Sequence, residues 1–427
     1  MPEKPVAGID VSKDFSDMCV ISPDNKIFET VHIFHDATSL RRSLTTLTAV
    51  ENAFGEKPVI VMESTAHYHR VIAQFMQSSG YEVMVINPMQ SGALKNINIR
   101  KVKSDKSDAH RLALLYRLKT LHTTNQPNEL LSNIRDYCRQ RADIMNSHTA
   151  YVNRLTSLLD QAFPGYARVF SRVACKSSLG ILKAYPSPAA ILAADPEHLA
   201  ETISKYARRG VATDYVIKKV AALRRVAENA EEINLKREAY SVLIVTVAEL
   251  LEGLQRHIET LKKRIIELAT EDPSVKFEVS LLQTIPGIGL YSAVLLRAEI
   301  GDFSLFQKPK QLVAFFGMDP STRQSGKFVG TKTKISKRGS PYARAILDIC
   351  AQSAVHPVTG KEPANPVLAN YYAEKVKTKD PKVVKCIIMR KLVNIIFAVL
   401  RDKKPFELRT PEEHIELLKH PNISRAA

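Results

Sequence analysis

The stretch Pro58 to Met62 reads PVIVM, a continuous apolar run with no polar alternate. A strand of that kind must be covered on both faces, so it belongs at the centre of a sheet packed between helices. Its surroundings agree. Val6 to Val11 is a second short apolar strand. Asp17 to Ile21 and Ile27 to Phe34 follow as strands, with Pro23-Asp24-Asn25 as the turn between them, and Thr38 to Val50 has helical periodicity. Beyond the central strand, Tyr68 to Ser78 reads as a helix closed by Gly80, and Glu82 to Ile86 as a strand stopped by Pro88. Ser104 to Leu118 reads as a further helix with Ser104 in the N-cap position. Three strands, helix, strand, helix, strand, helix is the element order of an RNase H-like α/β domain, an order that many α/β domains share in part.

Acidic residues sit where that order brings strand ends together. Asp10 ends the first strand and Glu63 ends the central one. Asp105 and Asp108 are three apart at the start of a helix, so both project from one face. The first and fourth strand ends are neighbours in such a sheet and a later helix crosses them, so the four carboxylates are expected to converge. Like charges at close range do not all stay ionised without a cation. Two Mg²⁺ ions about 4 Å apart would remove the repulsion and stabilise the attacking and leaving oxygens of a phosphoryl transfer. Singly, each residue has a plainer reading: Asp105 and Asp108 favour a helix N-terminus electrostatically, and Asp10 suits a strand-end turn. His67 and His69 flank Tyr68, but nothing nearby completes a zinc set; His110 reads as a helix-surface residue.

The middle of the chain is helical. Leu131, Ile134, Cys138, Met145, Val152, Leu155 and Leu159 follow a 4-3 spacing broken by Arg141 and His148, while Val247, Leu251, Leu254, Ile258, Leu261, Ile265 and Leu268 keep it unbroken. The spacing predicts a coiled-coil pair, within the chain or between chains, with two amphipathic helices of a compact bundle as the alternative. Between them, about Phe163 to Glu232, Pro164, Pro186, Pro188 and Pro196 predict short helices. The pairs Arg208-Arg209, Lys218-Lys219 and Arg224-Arg225 there are candidate phosphate contacts or simply a solvated face. The expected division is residues 1–122 as a catalytic α/β domain, 123–272 as the coiled-coil region with its basic insertion at about 163–232, 273–403 as a compact, mostly helical domain, and 404–427 as a tail.

With 61 Lys and Arg against 44 Asp and Glu, the formal charge is +17. Such a surplus attracts polyanions, and phosphate contacts dominate nucleic-acid affinity. The five cysteines, Cys19, Cys138, Cys175, Cys350 and Cys386, form no CxxC pair, which excludes a zinc ribbon and a disulfide framework and suits a reducing cytoplasm. No signal-peptide pattern opens the chain, and no apolar run approaches the roughly 20 residues needed to span a bilayer. These features give the expectation of a cytoplasmic, nucleic-acid-binding protein with no membrane partner.

A basic loop carries the second candidate site. From Ser325 to Arg344 it holds Lys327, Lys332, Lys334, Lys337, Arg338 and Arg344 and no acidic residue, with Gly326, Gly330 and Gly339 allowing close backbone approach. Serines among cations suit phosphate binding, and equally nucleophilic attack on a phosphodiester, where cations favour the alkoxide and the developing phosphorane. From residues alone Ser325, Ser336 and Ser340 are not ranked. Upstream, Ile285-Pro286-Gly287-Ile288-Gly289 opens a helix to about Ile300 and resembles the hairpin of a helix-hairpin-helix element, with Gly287 and Gly289 at a helix N-terminus that grips phosphate without reading sequence. A plain tight turn is the alternative.

Taken together, GIDVSK at the start, VMES with Glu63, INP at Ile86 to Pro88, KSDKSDA around Asp105 and Asp108, IPGIG, QLVAFFGMDP, Ser325-Gly326 and SKRG at Ser336 to Gly339 resemble the transposases of the insertion-sequence-110 family. The resemblance covers most of the chain in the family's order. It implies a DEDD recombinase with a RuvC-like, RNase H-like domain, related to the Piv-type DNA invertases, in which Asp10, Glu63, Asp105 and Asp108 bind Mg²⁺. It implies Ser325 as the nucleophile that becomes joined to DNA, with Ser336 in a supporting role. Gly326, Lys327, Lys332, Lys334, Lys337 and Arg338 of the loop, with Lys103 just before Asp105, are the candidate supporting, phosphate-binding residues. It also implies a noncoding bridge RNA that pairs with donor and target DNA, and a homo-oligomer, dimer to tetramer, in the bacterial nucleoid. The insertion at about 163–232 makes this chain longer than compact members. Two other readings compete: a RuvC-like endonuclease using metal-activated water, which needs no Ser325, and a basic scaffold that needs none of the carboxylates.

Overall fold

The computed structural model describes residues 3–64, 66–88, 90–91, 105–117, 128–207, 212–233, 239–321, 324–325, 328–329, 334–357 and 359–419. The chain divides into two compact units, Met1–Gln126 and Pro127–Ala427.

The first unit is built on β1 (Val6–Val11), β2 (Phe15–Ile21), β3 (Ile27–Phe34), α1 (Ala37–Phe54), β4 (Val59–Glu63), α2 (His69–Ser78), β5 (Val83–Ile86) and α3 (Asp105–Arg117). The sheet order is β3-β2-β1-β4-β5. β1 to β3 form an antiparallel meander, while β1-β4 and β4-β5 pair in parallel. Strand period two then sorts side chains onto the two faces. Ala7, Ile9 and Val11 with Ile60 and Met62 pack into one core with Leu40, Leu47, Ile72 and Met76 of α1 and α2. Val6, Cys19, Ile21, Val59 and Val61 pack on the other face against Ala109, Leu112 and Ala113 of α3. β4 is apolar from Val59 to Met62 because both of its faces are covered, as its sequence requires.

The position of α3 is set by a residue without a side chain. A Cβ on Gly8 would lie 2.1 Å from the Ala109 carbonyl oxygen and 2.6 Å from the Ala113 nitrogen, so only glycine lets the helix lie directly on β1. At its far end Arg117 donates to the Ser22 carbonyl and to Asn25 Oδ1, both at 3.0 Å, in the β2–β3 turn. The helix therefore runs opposite to β1, and its first turn, with Asp105 and Asp108, lies toward the strand end that carries Asp10. Ser104 falls outside the described residues.

The second unit is helical. Its spine is α4 (Glu129–Ala162) and α9 (Ala239–Glu271), joined through α5 (Lys176–Ala184), α6 (Pro188–Ala193), α7 (Pro196–Tyr206) and α8 (Thr213–Glu232). After α9 come α10 (Pro273–Gln283), α11 (Leu290–Ile300) and α12 (Pro309–Phe315), the two-residue strands β6 (Gln324–Ser325) and β7 (Phe328–Val329), then α13 (Pro341–Val355), α14 (Pro366–Lys375), α15 (Pro381–Asp402) and α16 (Pro411–Lys419). Leu131, Ile134 and Cys138 at the start of α4 share a core with Ile265 and Leu268 at the end of α9 and with α10 to α15. Leu155 and Leu159 at the end of α4 share another with Ile244, Val247 and Leu251 and with α5 to α8. The two helices thus pair antiparallel within the chain. The seam is not continuous: between the cores Arg141 donates to the Ile258 carbonyl at 3.3 Å and lies 4.4 Å from the centre of the Tyr291 ring, while Gln255 donates to the Ala174 carbonyl at 2.8 Å and meets His148 at 3.2 Å. The break expected at Arg141 and His148 is a polar waist. The proline-punctuated part of the segment is the short helices α5 to α7, but its last third, which has no proline, is the 20-residue α8 rather than a short helix; together they supply most of the second core. In the expected tail, Pro411–Lys419 is a helix whose described side chains are exposed.

Candidate active site

Register brings the first carboxylates together. Ile9 pairs with Met62 across the parallel β1–β4 ladder, so the next residues, Asp10 and Glu63, stand side by side at the strand ends. Both follow the parity of Gly8 and Val61 and so project onto the face that α3 covers. Asp108, one residue before the Ala109 that rests on Gly8, is largely buried and bonded at 2.5 Å to Arg111. Asp105 opens the same helix; its side chain lies outside the described residues. Two acids on adjacent strands and two at the start of the helix crossing them therefore share one end of one face. Among the described residues, no three His, Cys, Asp or Glu side chains close into a group that would hold a metal ion. The donors are all carboxylate oxygens, the chemistry that a hard divalent cation takes. His110 is half-buried, and burial lowers its pKa. His67 stacks on Tyr68 with ring centres 4.3 Å apart.

A further carboxylate lies in the same row. Asp10 pairs with Asp17 in the antiparallel β1–β2 register, and Asp17 with His32 on β3. Asp17 is buried, 4% exposed, and its Oδ1 is 2.9 Å from His32 Nδ1. This pair stands outside the carboxylates expected from the sequence. Its signal was the short turn at 12–14, which folds Asp17 back beside Asp10.

In the second unit the serines separate by what holds them. Ser340 is the N-cap of α13, accepting from the Ala343 N–H at 3.2 Å. Ser336 donates to Asp319 Oδ1 at 2.5 Å, and its N–H to the Asp319 carbonyl at 2.8 Å. Ser325 is the last residue of β6, paired with Phe328 of β7; its side chain lies outside the described residues, as do Lys103, Gly326, Lys327 and Lys332. The hairpin's base is braced: Pro320 bridges Ile335, and Ser321 donates through N–H and hydroxyl to the Lys334 carbonyl, both at 2.8 Å. The turn after it is tight. Lys337 adopts φ +56°, its N–H bonds to the Gly317 carbonyl at 2.9 Å, and a Cβ on Gly317 would meet the Arg338 nitrogen at 2.6 Å. Lys334, Lys337 and Arg338 remain exposed. Arg344 does not: it donates to the Phe316 and Gly339 carbonyls at 3.0 and 2.8 Å, tying the loop to the body, and burial lowers its pKa.

α10 and α11 are joined by the tight turn at 284–289. Gly287 has φ +96°, and a Cβ there would meet Ala354 and the Cys350 carbonyl at 2.8 Å, so α13 packs against the turn. Gly289 caps α11, and a Cβ on it would meet nothing. Of the basic pairs of the insertion, Lys219 donates to the Val169 carbonyl and Arg224 to the Ala194 carbonyl at 3.1 Å, both internal ties. Lys218 pairs with Asp214 at 2.7 Å on the surface. Arg208 and Arg209 lie outside the described residues. The internal partners of Lys219 and Arg224 were not legible, because a charge run does not reveal which carbonyls lie within reach.

A family model for DEDD-type transposases of the IS110 group, described as Transposase, matches residues 7–164. Another, described as Transposase IS116/IS110/IS902 family, matches residues 279–373. The chain belongs to the IS110/IS116/IS902 family of transposases. A pilin gene-inverting protein of Moraxella lacunata is 32% identical over 47% of this chain and 62% of its own length, so the chain matches just under two thirds of that relative. An uncharacterized 44.8 kDa protein of insertion element IS116 from Streptomyces clavuligerus is 23% identical over 95% of this chain and 96% of its own length. The transposase for insertion sequence element IS1111A of Coxiella burnetii is 22% identical over 84% and 80%. Membership in a DEDD family implies use of a divalent metal. Among the described residues no helix is long and apolar enough to cross a membrane.

Proposed function

We propose that this chain cuts and rejoins DNA strands. The observation that carries the proposal is the placement of Asp10 and Glu63 side by side at parallel strand ends, on the face crossed by the helix that begins with Asp105 and Asp108. We read the sheet as RNase H-like on its strand order, with 1–122 as the catalytic domain, 123–272 as the helical pair with its insertion, 273–403 as the domain bearing the serine, and 404–427 as a tail. Asp10, Glu63, Asp105 and Asp108 would hold Mg²⁺, which when bound polarises a phosphodiester and offsets charge on the attacking and leaving oxygens.

Ser325 is the nucleophile of the proposal, at the tip of a hairpin whose base is fixed by the 320–335 bridge and by Asp319. Its hydroxyl attacks phosphorus; the Oγ–P bond forms, the bond to one strand's oxygen breaks, and the serine proton ends on that leaving oxygen. Attack by a hydroxyl of another strand on the phosphoserine reverses the steps and joins DNA to a new partner. Lys334, Lys337 and Arg338 are exposed cations for the phosphate backbone, and the N-terminus of α11 at Gly287 and Gly289 is a further backbone grip. We also propose that a noncoding RNA guides the reaction by base pairing and that copies of the chain assemble, as dimer to tetramer, to bring carboxylates and serine to one phosphate. Support for these comes from the family membership and the +17 charge.

The test is a denaturing gel of full-length protein with Mg²⁺, labelled DNA spanning the element's junction, and RNA transcribed from its flanks. A protein–DNA adduct that disappears in both Ser325→Ala and Asp10→Ala is expected. Cut DNA without an adduct, retained in Ser325→Ala and lost in Asp10→Ala, overturns the serine and makes water the nucleophile.

A further inference from the structure

The row that contains Asp10 and Glu63 does not stop at the carboxylates. Reading outward across the sheet it runs Glu63, Asp10, Asp17, His32, and all four share the face to which α3 is applied. α3 packs over β4, β1 and β2, but on β3 the residues of that face, Thr30, His32 and Phe34, stay exposed. Three rings gather there. His32 lies between Phe15 and Phe34, with centroids 4.8 and 4.9 Å away, tilted to the first and edge-on to the second. Phe34 is 55% exposed, and the His32 side chain is 43% exposed while the Asp17 that holds it is only 6%.

Folding alone does not account for this arrangement. Phe34 leaves more than half its surface in water, and the buried Asp17 fixes an exposed imidazole ring in one orientation. Rigid, exposed rings are what a nucleobase needs: every base has a π-face, and stacking on aromatic side chains binds a single strand without reading its sequence. The distance also fits. Two strand spacings separate Asp10 from His32, roughly 10 Å, about the span of a nucleotide or two of an unstacked strand. Beneath the rings Asp17 is already bonded to His32, and the turn leading into Phe15 exposes Lys13 and Asp14, one charge of each sign.

We propose that Phe15, His32 and Phe34 form a stacking platform for an unpaired base of the DNA strand held at the carboxylate row, a nucleotide or two from the phosphate that is cut. The inference rests on the reading of that row as the DNA-cutting centre. The platform explains how a strand is kept unstacked and in line with Asp10 and Glu63 when sequence recognition lies elsewhere. Asp17 is a positioning residue here: it acts through His32.

Binding is tested apart from cutting. Fluorescence anisotropy of the full-length chain with a short single-stranded DNA, in Ca²⁺, should give roughly tenfold weaker affinity for Phe34→Ala, with wild-type affinity restored by Phe34→Tyr. Equal affinity in all three overturns the platform. Its location is tested by stepping iododeoxyuridine along the junction strand and irradiating. Crosslinks to the peptide holding His32 and Phe34 are expected only from positions next to the cut. Crosslinks there from RNA but not DNA, or a Phe34→Ala defect confined to self-association, also overturn it. Cutting by the wild type and by Asp10→Ala in parallel Mg²⁺ samples separates the two failures. Asp10-dependent cutting without crosslinks refutes the platform alone, whereas no Asp10-dependent cutting refutes the reading beneath it.

Discussion

Gly8→Ala is the smallest change that should disturb the candidate site without touching a carboxylate. Its Cβ would fall 2.1 Å from the Ala109 carbonyl oxygen and 2.6 Å from the Ala113 nitrogen. Neither neighbour is the free end of a side chain, so the helix itself must retreat, by about 1 Å or more, before ordinary contact returns. Overpacking of this kind costs about 1–3 kcal/mol, and for a unit of this size that lowers the melting temperature by roughly 5–10 °C. The same retreat carries Asp105 and Asp108 away from Asp10 and Glu63, and a misplacement of about 1 Å costs on the order of a hundredfold in rate. The assay pairs thermal unfolding with adduct formation on junction DNA, plus amide exchange over α3 to confirm which helix has moved. Loss of adduct far beyond that explained by the unfolded fraction is expected. Unchanged melting and unchanged adduct would refute the claim that α3 rests on Gly8 and sets the carboxylate geometry.

Three further outcomes are expected. Gly253→Ala, in the interior of α9 where a new Cβ meets nothing, should stabilise the chain by roughly 0.5–1 kcal/mol in denaturant unfolding; destabilisation would mean that this helix face is covered in solution. Arg139→Ala removes the guanidinium that binds Glu299 through two bonds of 2.8 and 2.9 Å and leaves a carboxylate 2% exposed without its cation, a loss of about 3 kcal/mol; Arg139→Met with Glu299→Leu should recover much of it. At Glu278 burial pushes the pKa up, but Lys403 and Arg297 more than offset it and hold the group below its ordinary 4.5. Its stabilisation is therefore complete above that value and lost as pH falls through the lower folded value, so the melting gap between wild type and Glu278→Gln should close below about pH 4.5. A gap that widens in acid would contradict the assignment.

Much of the first unit was legible because its signals are local. PVIVM demanded a strand covered on both faces, and Glu63 closes it because a short apolar run stops at a charge; Asp10 stands one residue short of the end of β1, which runs on to Val11. Element ends moved by a few residues: α1 runs from Ala37 to Phe54 rather than Thr38 to Val50, since Asp36 caps it through the Ser39 N–H at 2.7 Å and Gly55 closes it at φ +74°. The serine loop was legible only as a class. Three serines among cations look alike in sequence, yet Ser340 is engaged as a helix cap and Ser336 is bonded to Asp319, a residue on the other side of the hairpin. The heptads were equally ambiguous, because spacing predicts a seam but not which helix fills it.

The sequence alone determined the order of strands and helices along the first unit, the carboxylates near the ends of β1 and β4 and at the start of α3, the two long helices, and the family, because periodicity, turn residues and motif order are written along the chain. Tertiary structure decided the rest. It set α4 and α9 antiparallel around a polar waist, turned Lys219 and Arg224 into internal ties, and aligned Asp17 and His32 with Asp10 and Glu63. Those outcomes depend on register and on which backbone atoms come within bonding distance, and hydrogen bonds and close packing are decided by separations of a few ångströms between residues that can be a hundred positions apart in the chain.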